Sequence, residues 1–349
     1  MKVNLKLLFS ALIAIISLTT NAIAQSDQKP DHQKPVVNIL TWWGYLNNKD
    51  IIRNAEKVCN VKISYDEYFS NDAFLRRWRS QKDLYDIIIF SKTIYNILEN
   101  DVKNVNKSSS LWKQSSQYHP VIKKNYLNSQ FPPNVVYFFH SLTGFLYNPN
   151  VISISGQDSI SAIFQKSNDN LVVIVDDPLE SRKLINSEND DSMFAENFRK
   201  ISQQAKVYIG NGSINIYKSP KFSFAYIWSG EALQKISGDM KEYKFLIHPD
   251  FSYLSSDLLA QISQKKESEC VSNYLTSKPI VSKMQNENFY FTSYTDSNGI
   301  TDPNFAKAYQ QFISMLPTIK WVETVFSKDF NSISLEWELI KLEMLKKRQ

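Results

Sequence analysis

Apolar and polar positions alternate in short blocks along the first third of the chain. Val36-Val37-Asn38-Ile39-Leu40 is a short β-rich run, and Val61-Lys62-Ile63-Ser64-Tyr65 alternates with the period of two of a half-buried strand. Residues 84–90 are nearly all apolar, the pattern of a parallel strand buried on both faces. Between these runs, residues 50–57 and 71–79 have the composition of helices, with Asn71 or Asp72 placed to cap the second. Strands and helices in this order predict an α/β fold, a parallel sheet with right-handed crossovers. Ligands of such sheets sit beyond the carboxyl ends of the strands. Trp42, Trp43, Tyr45, Phe69, Ser70, Ser91 and Lys92 all fall at such ends.

The same punctuation continues. Residues 104–117 are rich in Ser, Asn and Lys and read as a surface segment. Pro132-Pro133 precedes an apolar strand at 135–139, and residues 171–175 form another buried-strand pattern. Residues 222–228 read as a strand ending at Trp228, with further short strands at 206–209 and 243–248. Helices are predicted at 159–165, 192–204, 231–236, 266–275, 304–315 and 334–347, and a turn at Asn211-Gly212. No repeat with a period of 20–50 residues is present.

The chain begins with a processing signal. Lys2 and Lys6 precede an apolar stretch at 7–17, too short to span a bilayer, and Ala22-Ile23-Ala24 is a cleavage site. Export to the periplasm with cleavage after Ala24 is expected, leaving a flexible polar segment at 25–35. The 349 residues, 43% hydrophobic and 21% charged, are ordinary globular material and enough for two domains. The net charge of +5 is mild and its Lys and Arg are scattered, so no nucleic-acid footprint exists. A basic protein still binds cations where its cleft is locally acidic. Export permits a disulfide between Cys59 and Cys270, but spacing alone does not pair them.

Catalytic signatures are missing. There is no G-x-S-x-G, no H-E-x-x-H and no phosphate-cradling glycine loop, and the four His are not at ligand spacing. No enzyme activity, cofactor or metal is expected. His140 has two readings, a cleft residue or an ordinary hydrogen-bonded histidine. Asp177-Pro178-Leu179-Glu180 also has two. Asp at the cap, Pro at the first helical position and Glu two residues on make a helix start that needs no ligand. The same residues end a buried strand, where a cleft would lie.

Several stretches resemble the periplasmic spermidine/putrescine-binding proteins, the substrate-binding subunits of polyamine ABC transporters. Thr41-Trp42-Trp43-Gly44-Tyr45 is similar to the family's head motif, and residues 61–72 and 85–91 follow in the family's order. Phe138-Phe139-His140-Ser141-Leu142-Thr143-Gly144 resembles the first crossover, and residues 252–262 the return. The resemblance implies a type II periplasmic-binding-protein fold: two lobes, hinge crossovers and an interlobe cleft. Residues 36–139 plus 258–296 would form lobe 1 and 140–257 plus 297–349 lobe 2, with a third crossing near 296–303. Both cysteines would then share a lobe.

By the same resemblance, Asp177 and Glu180 hold amino groups, with Asp257 as a further anchor. Trp42, Tyr45, Trp228 and Tyr290 pack on methylenes, and Trp43, Ser91 and Thr143 complete the site. The implied function is capture of putrescine or spermidine by a monomer that delivers it to an inner-membrane permease. Gly44, Thr93 and Ser256 depart from the family pattern. They leave open a different organic cation, or a ligand-free sensor or partner-binding module.

Overall fold

The computed structural model describes residues 34–103, 108–185, 193–210, 214–294, 299–322 and 330–346. The expected signal segment 1–24, most of 25–35, Asn211-Gly212 and part of the expected 296–303 crossing lie outside them. Among the described residues, nine strands alternate with helices. The first block is β1 (Val36–Trp42), α1 (Lys49–Cys59), β2 (Lys62–Tyr68), α2 (Asn71–Gln81), β3 (Ile87–Ser91), α3 (Tyr95–Lys103) and α4 (Pro120–Asn128). The middle block is β4 (Val135–Tyr147), α5 (Ile160–Ser167), β5 (Leu171–Ile174), α6 (Pro178–Ile185), α7 (Phe194–Ser202), β6 (Lys206–Ile209), the short α8 (Ile214–Tyr217), β7 (Phe222–Trp228), α9 (Ser229–Ser237) and β8 (Lys244–Leu246). The last is β9 (Leu254–Gln261), α10 (Lys266–Thr276), α11 (Lys278–Asn288), α12 (Pro303–Met315) and α13 (Phe330–Lys346).

The strand order is β2-β1-β3-β9-β4-β7-β5-β6, with β8 paired to β4. β1 lies parallel to β2 and β3, and β5 lies parallel to β6 and β7. β3 has all five residues buried, as its apolar run requires. Each Ile or Phe there contributes about 1.5–3 kcal/mol on burial. Asn48 caps α1, its side chain accepting from the amides of Asp50 and Ile51. α2 is capped by Ser70 rather than by Asn71 or Asp72. Ser70 is extended, with φ −152°, and its hydroxyl accepts from Ala73 N at 3.1 Å. Asn71 is thereby the first helical residue.

Two antiparallel strands join the halves. β4 is one continuous 13-residue strand, running through the crossover well beyond the 135–139 strand expected from the sequence. Val135 to Leu142 pairs with β9, and Thr143 to Tyr147 pairs with β7. Gly144 makes this possible, since a Cβ there would meet Leu246 O at 2.6 Å. A bulge opposes Phe138 and Phe139 to the single residue Asp257.

Two main cores result. The first gathers residues from β1 to Leu142 and from Tyr253 to Ile333, with Leu179, Leu233 and Ile247 from between them. The second surrounds Phe145, Val172, Phe224 and Phe251, and a smaller cluster covers the other face of its sheet. The described residues of 297–349, a range expected together in lobe 2, divide between these cores. Phe305 and Phe312 of α12 stack on Phe291 in the first, with Tyr309 tilted against it, while Trp337 and Ile340 of α13 enter the second. Cys59 and Cys270 form a disulfide between α1 and α10. Among the described residues, no helix is long and apolar enough to cross a membrane.

Candidate functional site

The carboxyl ends of β1, β3, β5 and β7 open on one cavity of about 690 Å³. Trp42 ends β1, Ser91 ends β3 and Trp228 ends β7. The chain leaving β5 supplies Asp177 and, at the start of α6, Glu180. β9 supplies Ser255 and Asp257, and the loop after α11 supplies Tyr290. Trp43 and Tyr45 complete the head of the cavity.

Asp177 does both things that its position allows. Its Oδ1 accepts from the amides of Leu179 at 2.9 Å and Glu180 at 3.0 Å, the capping arrangement. Its Oδ2 accepts from Asn71 Nδ2 at 3.2 Å, across from the first core. Burial pushes its pKa up to about 6 against the hydrogen bonds that lower it, and the neighbouring Asp176 adds to the rise. Glu180 Oε1 accepts from Trp228 Nε1 at 3.4 Å and from the Ser255 hydroxyl. The dipole at a helix start disfavours cations. An ammonium group here therefore depends on these carboxylates.

Asp257 is held by aromatic donors. Trp42 Nε1 donates to its Oδ1 at 3.0 Å and the Tyr45 hydroxyl donates to its Oδ2. Burial, and then the Asp257 charge, holds the Tyr45 phenol well above its usual pKa, so it stays a donor. Alternation along β9 turns Ser255 and Asp257 to the cavity and Ser256 away. Ser256 instead meets His140 Nδ1 at 2.8 Å, and His140 Nε2 meets Ser293 at 2.8 Å. His140 is fully buried, and burial pushes its pKa down to about 3. It is the ordinary hydrogen-bonded histidine, not a cavity residue.

The aromatic residues form the walls. Trp42 and Trp228 meet with ring centroids 6.5 Å apart, and Tyr45 meets Tyr290 edge-on at 5.1 Å. Trp43 stacks on Phe69 at 5.7 Å, both largely exposed. Gly230 lets Tyr290 close in, since a Cβ there would lie 2.8 Å from the ring.

Thr143 is the one expected site residue that does not line the cavity. It is fully buried where β4 passes between the halves. Its Oγ1 accepts from the Tyr226 hydroxyl at 2.9 Å and from Tyr253 N at 3.0 Å. Ser70 and Lys92 also lie off the lining; Lys92 Nζ meets Asn125 Oδ1 at 2.9 Å and sits 5.1 Å from the Trp321 ring.

Sequence reasoning missed Glu231, Lys235, Asn71 and Glu287, all of which line the cavity. Glu231 follows Trp228 by three residues, so the strand-end rule that found Trp228 also reaches it. Burial raises its pKa, and Lys235 opposes this from 3.2 Å. Glu287 accepts from Asn48 at the mouth and lies one turn before Tyr290. Asp177, Glu180, Glu231, Asp257 and Glu287 thus face a cavity whose lining, among the described residues, holds one cation, Lys235.

No protein-family model matches the sequence, and no curated protein does. Solved structures do match, over most of the chain. A spermidine/putrescine ABC transporter substrate-binding protein, PotD, from Streptococcus pneumoniae aligns at 15% identity over 90% of this chain and 100% of its own, with TM-score 0.70. The chain has the periplasmic-binding-protein fold. Two further structures with this fold set its range. The Tp0655 (TpPotD) lipoprotein of Treponema pallidum aligns at 13% identity over 88% of this chain and 99% of its own, with TM-score 0.63. The PBP MotA from A. tumefaciens B6, in complex with glucopine, aligns at 12% identity over 87% of this chain and 99% of its own, with TM-score 0.67. At such identities the periplasmic-binding-protein fold is shared while the ligands differ.

Proposed function

We propose that this chain is the periplasmic solute-binding component of an ABC transporter, and that its cavity takes a linear polyamine, putrescine or spermidine. One observation carries the reading. The indole edges of Trp42 and Trp228 donate to Asp257 and Glu180, so the carboxylates are fixed beside aromatic faces. That pairing suits an alkyl-ammonium chain at both of its parts. Ring faces bury methylenes at about 0.8 kcal/mol each and attract ammonium groups by about 0.5–2 kcal/mol. The carboxylates accept charge-assisted hydrogen bonds from the ammonium groups. Anions are disfavoured by the excess of carboxylates over the one lysine.

Asp177 and Glu180 on one side, and Trp42, Tyr45 and Asp257 on the other, would be drawn together by the ligand as the halves close by hinge motion. The closed form would dock on a membrane permease, and the cycle includes no chemical step. A different organic cation is the second reading. It is favoured by Thr93, whose hydroxyl bonds Ser91 at 2.8 Å, and by Gly44, whose amide binds Glu67 at 2.8 Å.

The test is thermal unfolding of the mature protein with putrescine, spermidine, cadaverine or control amino acids. A ligand at about 100 times its Kd adds roughly 2.7 kcal/mol to stability. A rise of several degrees with a polyamine, lost in Asp177→Ala/Glu180→Ala, is the expected result. No rise with any polyamine removes the polyamine reading, and an unchanged rise in the double variant removes the site.

A further inference from the structure

The walls of the cavity carry carboxylates at three stations, and the chain itself supplies an ammonium group to the third. Asp177 and Glu180 stand at the start of α6, Asp257 stands on β9, and Glu231 stands in the first turn of α9. Lys235, one turn further along α9, places its Nζ 3.2 Å from Glu231 Oε1. The two side chains are 19% and 16% exposed, unlike an ordinary surface pair four residues apart on a helix. The same Nζ lies 4.7 Å from the centroid of the Tyr217 ring, and the Tyr217 hydroxyl donates to Glu231 Oε1 at 3.5 Å. Carboxylate and ring together hold the lysine in place.

This pair stands where a ligand amine would otherwise go. Burial, and then the charges of Glu231 and Asp257, raises the Tyr290 pKa, so both carboxylates act on that ring. Gly230 lets the ring pack against the start of α9. A cation following the aromatic wall past Tyr290 meets a Glu231 already neutralised, and the like charge of Lys235. Glu287 at the mouth is a poor substitute, because it is exposed, bonded to Asn48 and screened by water. The other two stations answer to a diamine. Glu180 accepts from Ser255, and Ser255 and Asp257 leave one face of β9 about 7 Å apart, close to the reach of two ammonium groups joined by four methylenes. Resting on the polyamine reading, we propose that Lys235 is a specificity-determining residue: its ammonium fills the Glu231 station, so that the cavity accepts a diamine of putrescine's length and rejects the triamine spermidine. Such discrimination comes from repulsion set against the wrong ligand rather than from added contacts with the right one.

Calorimetric titration of the mature protein with putrescine and with spermidine tests this. The wild type should bind putrescine at least about tenfold more tightly than spermidine. Lys235→Gln uncovers Glu231 and should improve spermidine binding relative to putrescine by about tenfold or more. Lys235→Arg keeps the charge and should keep the preference for putrescine. Adding Glu231→Gln to Lys235→Gln removes the station and should cancel the gain. Circular dichroism and the melting temperature without ligand verify that each variant is folded. Where Lys235→Gln is not, Lys235→Met, which keeps an apolar stem against Tyr217, takes its place. A wild type that binds spermidine as tightly as putrescine overturns the proposal and leaves the polyamine reading standing. So does a Lys235→Gln variant with the wild-type preference, or a gain that survives the loss of Glu231. If the wild type and the variants bind neither amine, the polyamine reading fails and the proposal falls with it.

Discussion

Asp177 joins two duties that are usually separate, since one oxygen caps α6 and the other accepts from Asn71 across the cavity. The cap fixes the carboxylate without a ligand, so a cation meets an oriented group and pays little ordering entropy. The same burial raises its pKa to about 6. The sign follows from which state ionises more easily. In the unfolded chain the group ionises at its ordinary, lower pKa, so between that value and about 6 the folded state holds the extra proton. Its contribution to stability therefore falls as pH rises through this window. A bound ammonium reverses the preference, because it needs the ionised form. Polyamine affinity is expected to rise with pH up to about 6 and to level off above 7, with roughly tenfold weaker binding at pH 5 than at pH 7.5. Titration calorimetry at the two pH values checks it, and Asp177→Asn should flatten the profile. Asp177, Glu180 and the two indoles were legible because their chemistry stands at the ends of recognisable strands. Glu287 was not, because Asn48 and Tyr290 meet it only in the folded chain.

β4 and β9 decide which residues reach the cavity. A strand turns alternate residues to opposite faces, so one step in register exchanges a ligand residue for a structural one. On β9 that parity places Asp257 in the cavity and hands Ser256 to His140. On β4 the bulge at Phe138 and Phe139 resets the parity before Thr143. A bulge leaves no mark in a run as uniformly apolar and buried as this one, so nothing in the sequence opposed the place that the resemblance implied for Thr143. The same uniformity made the fold legible, since a run such as Ile87–Ser91, apolar and buried on both faces, marks an inner strand. Thr143 instead pins the crossing by accepting from Tyr226 and Tyr253. Thr143→Val keeps the shape and leaves the buried Tyr253 amide without its acceptor, while the Tyr226 hydroxyl keeps Phe251 O. A loss of roughly 1–3 kcal/mol for the orphaned amide is expected in urea unfolding, with polyamine affinity within about twofold of wild type. A large loss of affinity at unchanged stability would return Thr143 to the site.

At the scale of the whole molecule, the first core is assembled from two lengths of chain that are far apart in sequence. One runs from β1 to Leu142 and the other from Tyr253 to Ile333, joined by Leu179, Leu233 and Ile247 from the middle of the chain, which otherwise builds the second core. Helices α1 and α10 bring these lengths together, and Cys59 and Cys270 tie them there across 211 residues of sequence. A crosslink of that reach acts mainly on the unfolded chain, by removing the conformations in which the two lengths are separated. The loop-closure model gives about 5 kcal/mol for so long a loop, and residual structure in the unfolded chain reduces it. Cys59→Ser/Cys270→Ser, or reduction of the wild type, should therefore cost roughly 2–5 kcal/mol in urea unfolding. The loss should fall on the first core, whose two lengths must then find each other unaided, while the second core is nearly continuous in sequence. Near-ultraviolet dichroism of Trp78 and the Tyr residues of the first core, read beside that of Trp337 in single-tryptophan variants, separates the two transitions. Because the cavity draws Trp42 and Asp257 from one core and Asp177 and Trp228 from the other, added polyamine should bring the transitions back toward one. If reduction moves both cores equally, the halves unfold as a unit and the disulfide stabilises the whole rather than the first core alone.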